Sequence, residues 1–129
     1  MSPAPREPAA PNPRRLLGER GEALAAEWYE AAGYEILARN WRCREGELDL
    51  VVARAGLVVF CEVKTRRGAQ FGAPFEAVTA TKQRRIRGLA ARWLSEHSDT
   101  RAAQLRFDVA SITAPSGASP SIQVITGAF

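Results

Sequence analysis

Two apolar stretches joined by a two-residue turn constrain the fold of this chain more than any other feature. Residues 47–53 read ELDLVVA and residues 57–64 read LVVFCEVK, and both are rich in the apolar residues typical of β-strands. Ala55 and Gly56 suit a tight turn, so the two stretches predict an antiparallel hairpin. With the turn at that dipeptide, every cross-strand pair of the hairpin is fixed.

This register brings four charged side chains together at the end of the hairpin away from the turn. Asp49 faces Glu62 and Glu47 faces Lys64, with opposed Cβ atoms about 4.5–5.5 Å apart. Two opposed carboxylates repel each other unless they share a proton or a cation. Their oxygens suit Mg²⁺ or Mn²⁺, which can polarise a phosphoryl oxygen and acidify a bound water. The alternative is a solvated sheet face with Glu47 and Lys64 as a surface ion pair.

Lys64 and Lys82 are the only lysines among the 18 basic residues of the chain. Because arginine serves wherever a general positive charge is enough, the two lysines are candidates for specific work. Lys64 could hold an attacking water or stabilise charge that develops on a phosphate. Lys82 extends the apolar face of a predicted helix, in the first turn, where the helix dipole disfavours a cation. It is interpreted either as a phosphate ligand or as a side chain whose amine reaches water.

Further basic residues flank the two lysines. Arg66 and Arg67 follow the second strand, and Arg84 lies on the helix of Lys82, with Gln83 as a lesser candidate. These residues could track a phosphate backbone, or they could form a solvated basic face. The formal net charge of +4 and the pI near 9.7 favour an anionic partner, most commonly nucleic acid.

The rest of the chain predicts a mixed α/β sheet with helices packed on it. Residues 1–15 hold five of the eight prolines and are interpreted as a disordered tail, which leaves residues 16–129 as one domain. Asp108, an acid inside a strand, is interpreted as structural. The predicted elements are a helix over 17–32 ended by Gly33, a short strand over 34–37, the hairpin, a helix capped by Thr79, and strands over 105–112 and 121–125.

Composition excludes several classes of protein. No apolar run approaches the ~20 residues that span a bilayer, and the N-terminus lacks the apolar segment of a signal peptide, which predicts a cytoplasmic protein with no membrane partner. His97 is the single histidine, so a zinc site built on several histidines is excluded. Cys43 and Cys61 form no CxxC motif and are expected to be reduced thiols.

Three stretches together resemble a known family. They read GERGEALAAEWYEAAGYEILARNWRCREGELDLVV, VVFCEVKTR and AVTATKQRRIRGLAARWL. They are similar to the bacterial YraN-like family of the PD-(D/E)XK nuclease superfamily, which is related to archaeal Holliday junction resolvases. The resemblance covers residues 16–129 and implies a restriction-endonuclease-like, three-layer α/β core with a mixed β-sheet flanked by helices.

The resemblance implies a role for each matching position of the hairpin. Asp49 and Glu62 would bind the metal, and the Val63 carbonyl would complete the inner shell. Lys64 would orient the nucleophilic water, and Thr65 follows it in the motif.

Glu22 would be the fourth catalytic residue and would bind the metal directly or through water. Helical spacing alone does not choose between Glu22 and Glu27, and the resemblance favours Glu22 because it follows Gly21 in a Gly-Glu pair. Leu48 stands where the superfamily motif has proline, a residue that does no chemistry.

The sequence therefore predicts a Mg²⁺- or Mn²⁺-dependent nuclease that acts on DNA. The likeness to resolvases extends the expectation to branched or structured DNA and to a homodimer. One alternative is a non-catalytic nucleic-acid-binding protein that retains the nuclease fold. Another is a protein-binding module of a larger repair or uptake machine.

Overall fold

The elements of the structure follow the predicted order. The computed structural model describes residues 12–67, 78–115 and 117–129, so most of the predicted tail, residues 1–11, lies outside the described part. The elements are α1 (Pro13–Ala31), β1 (Glu35–Cys43), β2 (Gly46–Arg54), β3 (Leu57–Arg66), α2 (Ala80–Glu96), β4 (Gln104–Thr113) and β5 (Ser121–Ile125).

The five strands form one mixed sheet in the order β1-β2-β3-β4-β5. The β3–β4 pair is parallel, and the other three neighbouring pairs are antiparallel. Parallel neighbours need a long crossover, and α2 provides it. One apolar core joins the sheet to α1 and a second joins it to α2, which confirms the predicted three-layer architecture. Within the described residues, neither helix is both long enough and apolar enough to cross a bilayer.

The hairpin of β2 and β3 has the predicted register. Arg54 pairs with Leu57, and the ladder continues regularly to the pair of Leu50 and Cys61. Ala55 and Gly56 both have positive φ values, of 48° and 82°, as a two-residue turn of this hand requires. The next residues beyond the regular ladder are the two predicted metal ligands.

β1 is a nine-residue strand, whereas the sequence predicted a short strand over 34–37. Its pairing with β2 shifts between Ile36 and Ala38, and Asn40 has a positive φ of 49°. A shift and a left-handed residue both interrupt alternation, which is why the pattern did not look like a strand. Asn40 stands where a partner for Asp49 would be expected, between two regular pairs of the ladder.

Helix α1 begins a turn earlier than predicted. The Asn12 side chain accepts a hydrogen bond from the Arg14 amide at 3.0 Å, and Pro13 occupies the first helical position. Gly33, with a φ of 88°, follows the helix end as predicted. In α2, the predicted cap is confirmed, since the Thr79 side chain accepts from the Lys82 amide at 3.2 Å.

The buried face of α1 differs from the predicted one by a small rotation. The prediction placed Leu17, Gly21, Leu24, Trp28 and Ala32 on the buried stripe. The fully buried positions are Gly21, Ala25, Ala26 and Tyr29, and the other predicted residues are half-buried at its edge. Tyr29 fixes the rotation, since its hydroxyl reaches a buried carboxylate in the sheet.

Candidate active site

The predicted catalytic residues lie at one edge of the sheet. β2 and β3 are antiparallel, so the start of β2 and the end of β3 meet there, and the first turns of α2 cover the α2 face. A cleft of about 290 Å³ opens at this place. Its lining includes Asp49, Glu62, Lys82, Arg85 and Leu89.

Asp49 occupies the irregular position between β1 and β3. Its Oδ2 atom accepts a hydrogen bond from the main-chain amide of Val63 at 2.8 Å. Burial, and then the charge of Glu62, raise the pKa of Asp49 to about 7, with smaller contributions from Glu22 and Glu47. The side chain is therefore a carboxyl group on which a proton or a cation is favoured at neutral pH.

Glu62 forms an ion pair across the cleft with Lys82. The Lys82 Nζ atom lies 3.0 Å from Glu62 Oε1, and both side chains are partly shielded from solvent. Lys82 was predicted to meet a phosphate or to extend into water, and its observed partner is instead a carboxylate. This partner explains a cation in the first helical turn, because Glu62 offsets the unfavourable helix dipole.

The predicted pair of Glu47 and Lys64 does not form. Glu47 pairs with Arg42 of β1 at 3.1 Å, because the two residues are directly opposed in the β1–β2 ladder. Lys64 is half-buried beside Ser111 of β4, and it forms no ion pair with any residue in the described part of the chain. Its ammonium group is thus uncommitted among these residues, as a water-orienting lysine requires.

Glu22 reaches the same region from the opposite face of the sheet. It is half-buried and lines a second cleft of about 460 Å³, together with Val63, Thr65, Arg66 and Arg67. Glu27, the other residue that helical spacing allowed, is exposed and is not among the residues that line this cleft. The close approach of α1 depends on glycine, because a Cβ atom added at Gly21 would lie 1.8 Å from Thr65 Oγ1.

Gln83 and the arginines of α2 divide into two groups, those held by partners within the protein and those exposed on its surface. Gln83 donates to the Val78 carbonyl at 2.8 Å, so this candidate for nucleic-acid binding fastens the start of the helix. Arg87 stacks on Phe107, and Arg92 pairs with Glu45. Arg84 and Arg85 are exposed on the remaining surface, and Arg84 donates a 3.4 Å hydrogen bond to the Thr81 hydroxyl.

The donor set fits a hard divalent ion held by few protein ligands. Within residues 12–67, 78–115 and 117–129, no three histidine, cysteine or acidic side chains converge as a ready-made metal cluster. Mg²⁺ is commonly bound by one or two carboxylates, with waters and substrate phosphates as its other ligands. Asp49 and Glu62 supply two such carboxylates, and burial together with the charge of Glu62 raises the pKa of Asp49.

Sequence reasoning missed two contributors to the site. Arg85 lines the cleft of Asp49, although its sequence context did not distinguish it from the other arginines of α2. Asn40 interrupts the β1–β2 pairing beside Asp49 with its positive φ. The sequence did contain a signal for this interruption, because asparagine tolerates positive φ better than most residues and here stands in an otherwise strand-like stretch. Cys43 and Cys61 are both free thiols, as the sequence predicts. Burial raises the pKa of the Cys61 thiol to about 12.

Known proteins resemble this chain over most of its length. A UPF0102 protein of Frankia casuarinae is 53% identical over 113 residues, covering 88% of this chain and 95% of that protein. A UPF0102 protein of Nocardia farcinica is 52% identical over 116 residues, covering 90% and 91%. Residues 21–112, which contain every candidate metal ligand, match the profile of uncharacterised protein family UPF0102. The chain therefore belongs to the UPF0102 family, the YraN-like family that its motifs resemble.

Proposed function

We propose that this protein is a divalent-metal-dependent nuclease that hydrolyses phosphodiester bonds in DNA. The observation that carries the proposal is that the carboxyl groups of Asp49 and Glu62 line the same cleft. Burial and the charge of Glu62 raise the pKa of Asp49 to about 7. A carboxyl group in such surroundings gains most from a bound cation, and a cation between carboxylates suits phosphoryl chemistry.

The residues around the cleft have separable roles in this proposal. Asp49 and Glu62 hold the ion, which supplies Lewis acidity and a water of lowered pKa. Lys64 orients the attacking water, because its ammonium group has no carboxylate partner among the described residues. Lys82 and Arg85 line the same cleft and bind the phosphate whose ester bond is broken.

The test is a cleavage assay on three labelled DNAs, namely linear duplex, single-stranded and four-way junction. Each is incubated with Mg²⁺, Mn²⁺ or EDTA, and the junction tests the preference for branched DNA. We expect cleavage with Mg²⁺ or Mn²⁺ and a loss of about 100-fold or more in Lys64→Ala and Asp49→Asn. Glu27→Gln, which changes an exposed carboxylate of α1, is the matched control. No cleavage by the wild type, or equal cleavage by Lys64→Ala, would show that the proposal is wrong.

A non-catalytic nucleic-acid-binding protein is the second candidate. Lys82 already neutralises Glu62 at 3.0 Å, as a protein without a metal would require. Calorimetric titration with Mn²⁺ separates the two candidates, because a pure binding protein has no use for an ion at Asp49. Binding of DNA that is unchanged by EDTA, with no heat of metal binding, would favour this second candidate.

A further inference from the structure

A long groove continues from the candidate site along the α1 face of the molecule. The cleft that contains Glu22 and Val63 has a volume of about 460 Å³, and a neighbouring cleft has a volume of about 680 Å³. The two clefts share Leu17 and Arg67, so they form one depression. We call it the α1 groove; α1 and the end of β3 form one wall, and the described residues of 114–120, between β4 and β5, form the other.

The charge of the α1 groove is strongly positive. Glu22 is the one carboxylate among the described residues that line it. Four arginines line the groove as well, two on α1, one on β3 and one directly after β3: Arg14, Arg20, Arg66 and Arg67.

Small and apolar residues form the rest of the surface. The wall between β4 and β5 contributes Ala114, Pro115, Ala118 and Pro120. No aromatic side chain lines the groove within the described residues, which offer guanidinium groups to a ligand. An open groove with arginines on a neutral floor suits an extended polyanion held by its phosphates.

The α1 groove is continuous with the chemistry of the candidate site. Glu22 and Val63 line the groove, and the Val63 amide donates to Asp49. The cleft of Lys82 and Arg85 lies on the other face of the same sheet edge. A strand that passes over the end of β3 would therefore meet positive charge on both sides of Asp49.

We propose that the α1 groove binds the sugar-phosphate backbone of a single DNA strand on one side of the phosphodiester that is cleaved. This inference rests on the proposed nuclease function. It names a single strand because the groove is a concave channel bounded by two walls. Binding there is independent of sequence and strongly dependent on salt, since phosphates are the groups recognised.

The test measures binding of a fluorescein-labelled single-stranded oligonucleotide by anisotropy, in EDTA and at several NaCl concentrations. Arg20→Ala is expected to weaken binding about threefold to tenfold and to reduce the slope of log K against log salt by about 0.7. Arg15→Ala is the control, because Arg15 is an exposed arginine of the same helix that pairs with Glu19 outside the groove.

A second pair of variants tests the opposite wall. Ala118→Glu introduces a negative charge into the groove. Ala102→Glu introduces the same charge at the opposite end of the strands, where the neighbouring Ala103 amide donates to the Gly56 carbonyl of the hairpin turn. We expect only Ala118→Glu to weaken binding. Equal binding by each variant and its control would overturn the proposal. The same holds if Arg20→Ala binds like the wild type while a chain shortened to begin at Asn12 binds more tightly, because the N-terminal segment would then be the occupant of the groove.

The outcome is separable from that of the nuclease proposal. Anisotropy in EDTA requires no cleavage, so a binding defect in Arg20→Ala with no cleavage by the wild type would sustain the groove and refute the nuclease. Cleavage by the wild type together with full binding by Arg20→Ala would support the nuclease proposal and refute the groove proposal. Thermal unfolding of each variant, expected to match the wild type because all four substituted positions are exposed, verifies the fold.

Discussion

Asp108 of β4 and Asp49 of β2 lie on the two strands that flank β3, yet their surroundings differ completely. Asp108 is fully buried and accepts four hydrogen bonds, from the Tyr29 hydroxyl at 2.6 Å, twice from Arg106 at 2.8 and 2.9 Å, and from the Gly127 amide at 3.0 Å. Asp49 accepts one hydrogen bond from Val63 and faces a second carboxylate.

The difference separates a structural acid from a candidate catalytic one. A buried carboxylate with saturated hydrogen bonds and a guanidinium partner has nothing left to offer a ligand. A carboxylate beside another carboxylate gains free energy when a proton or cation arrives. Helix α1 contributes to the surroundings of both acids. The Tyr29 hydroxyl donates a hydrogen bond to Asp108. Glu22, seven residues earlier on the helix, helps to raise the pKa of Asp49 through its charge.

The largest expected effect concerns the saturated acid. Asp108→Asn places an amide donor among the donors of Tyr29, Arg106 and Gly127 and removes the charge that pairs with Arg106. We expect the free energy of unfolding to fall by about 3–5 kcal/mol, measured by urea denaturation at pH 7. Asp99→Asn, at an exposed position, should leave it unchanged. If Asp108→Asn lowers the free energy of unfolding by less than about 1 kcal/mol, the assignment of Asp108 as a structural acid is wrong.

The same substitution at Asp49 should have the opposite sign. The folded-state pKa of Asp49 is about 7, above the value of about 3.9 expected in the unfolded chain. The protonated form therefore contributes stability that is present below pH 4 and lost as the pH rises to 7. Asp49→Asn lacks this loss, so it should match the wild type near pH 4 and exceed its stability by up to about 4 kcal/mol at pH 8, which corresponds to a pKa difference of about three.

Denaturation at a series of pH values checks this prediction, and a divalent ion sharpens it. At pH 8, Mg²⁺ or Mn²⁺ should stabilise the wild type, because the ion replaces the missing proton, and should leave Asp49→Asn unchanged. A stability difference between the two proteins that does not vary with pH would contradict the assigned environment of Asp49.

Local rules in the sequence were sufficient for the hairpin and for both helix termini that were predicted from caps. The turn at Ala55 and Gly56 fixed the pairing of β2 with β3, and Thr79 marked the start of α2. These features depend on neighbours in the chain, so alternation and capping preferences describe them fully. The three-layer order followed from the family resemblance and from the succession of helices and strands.

The rest of the site depends on contacts between distant elements, which no local pattern encodes. Lys82 and Glu62 lie on different elements, α2 and β3, and meet only because α2 packs on the sheet. The three partners of Asp108 come from α1, β4 and the turn after β5, so the presence of an acid in a strand gave no clue to their number. The length of β1 was missed because Asn40 and the shifted pairing break the alternation on which strand prediction depends.

Helix α1 offers a way to disturb the Asp49 end of the molecule more than the Asp108 end. Gly21→Ala places a Cβ atom 1.8 Å from Thr65 Oγ1 and 3.0 Å from Thr65 Cβ, so the helix or the strand must move. We expect a loss of about 1–2 kcal/mol in urea denaturation, partly restored by adding Thr65→Ala. Gly18→Ala is the control, because nothing lies within 4 Å of its added Cβ, and it should be neutral or stabilising. Equal effects of the two substitutions would mean that α1 does not depend on its contact with Thr65.

The smallest effect on stability, and the most informative one for the metal, is expected at Lys82. Its ion pair with Glu62 is partly exposed, so Lys82→Met should lower the free energy of unfolding by less than about 1 kcal/mol. The lysine and a divalent ion compete for the same carboxylate, so its removal should raise the affinity for Mn²⁺ about threefold to tenfold in calorimetry. Arg84→Met removes a cation from the same helix without releasing a carboxylate, and its affinity should stay close to that of the wild type. Weaker Mn²⁺ binding by Lys82→Met would instead mean that the lysine holds Glu62 in place for the ion, and Glu62 would then resemble the anchored Asp108 more than its neighbour Asp49.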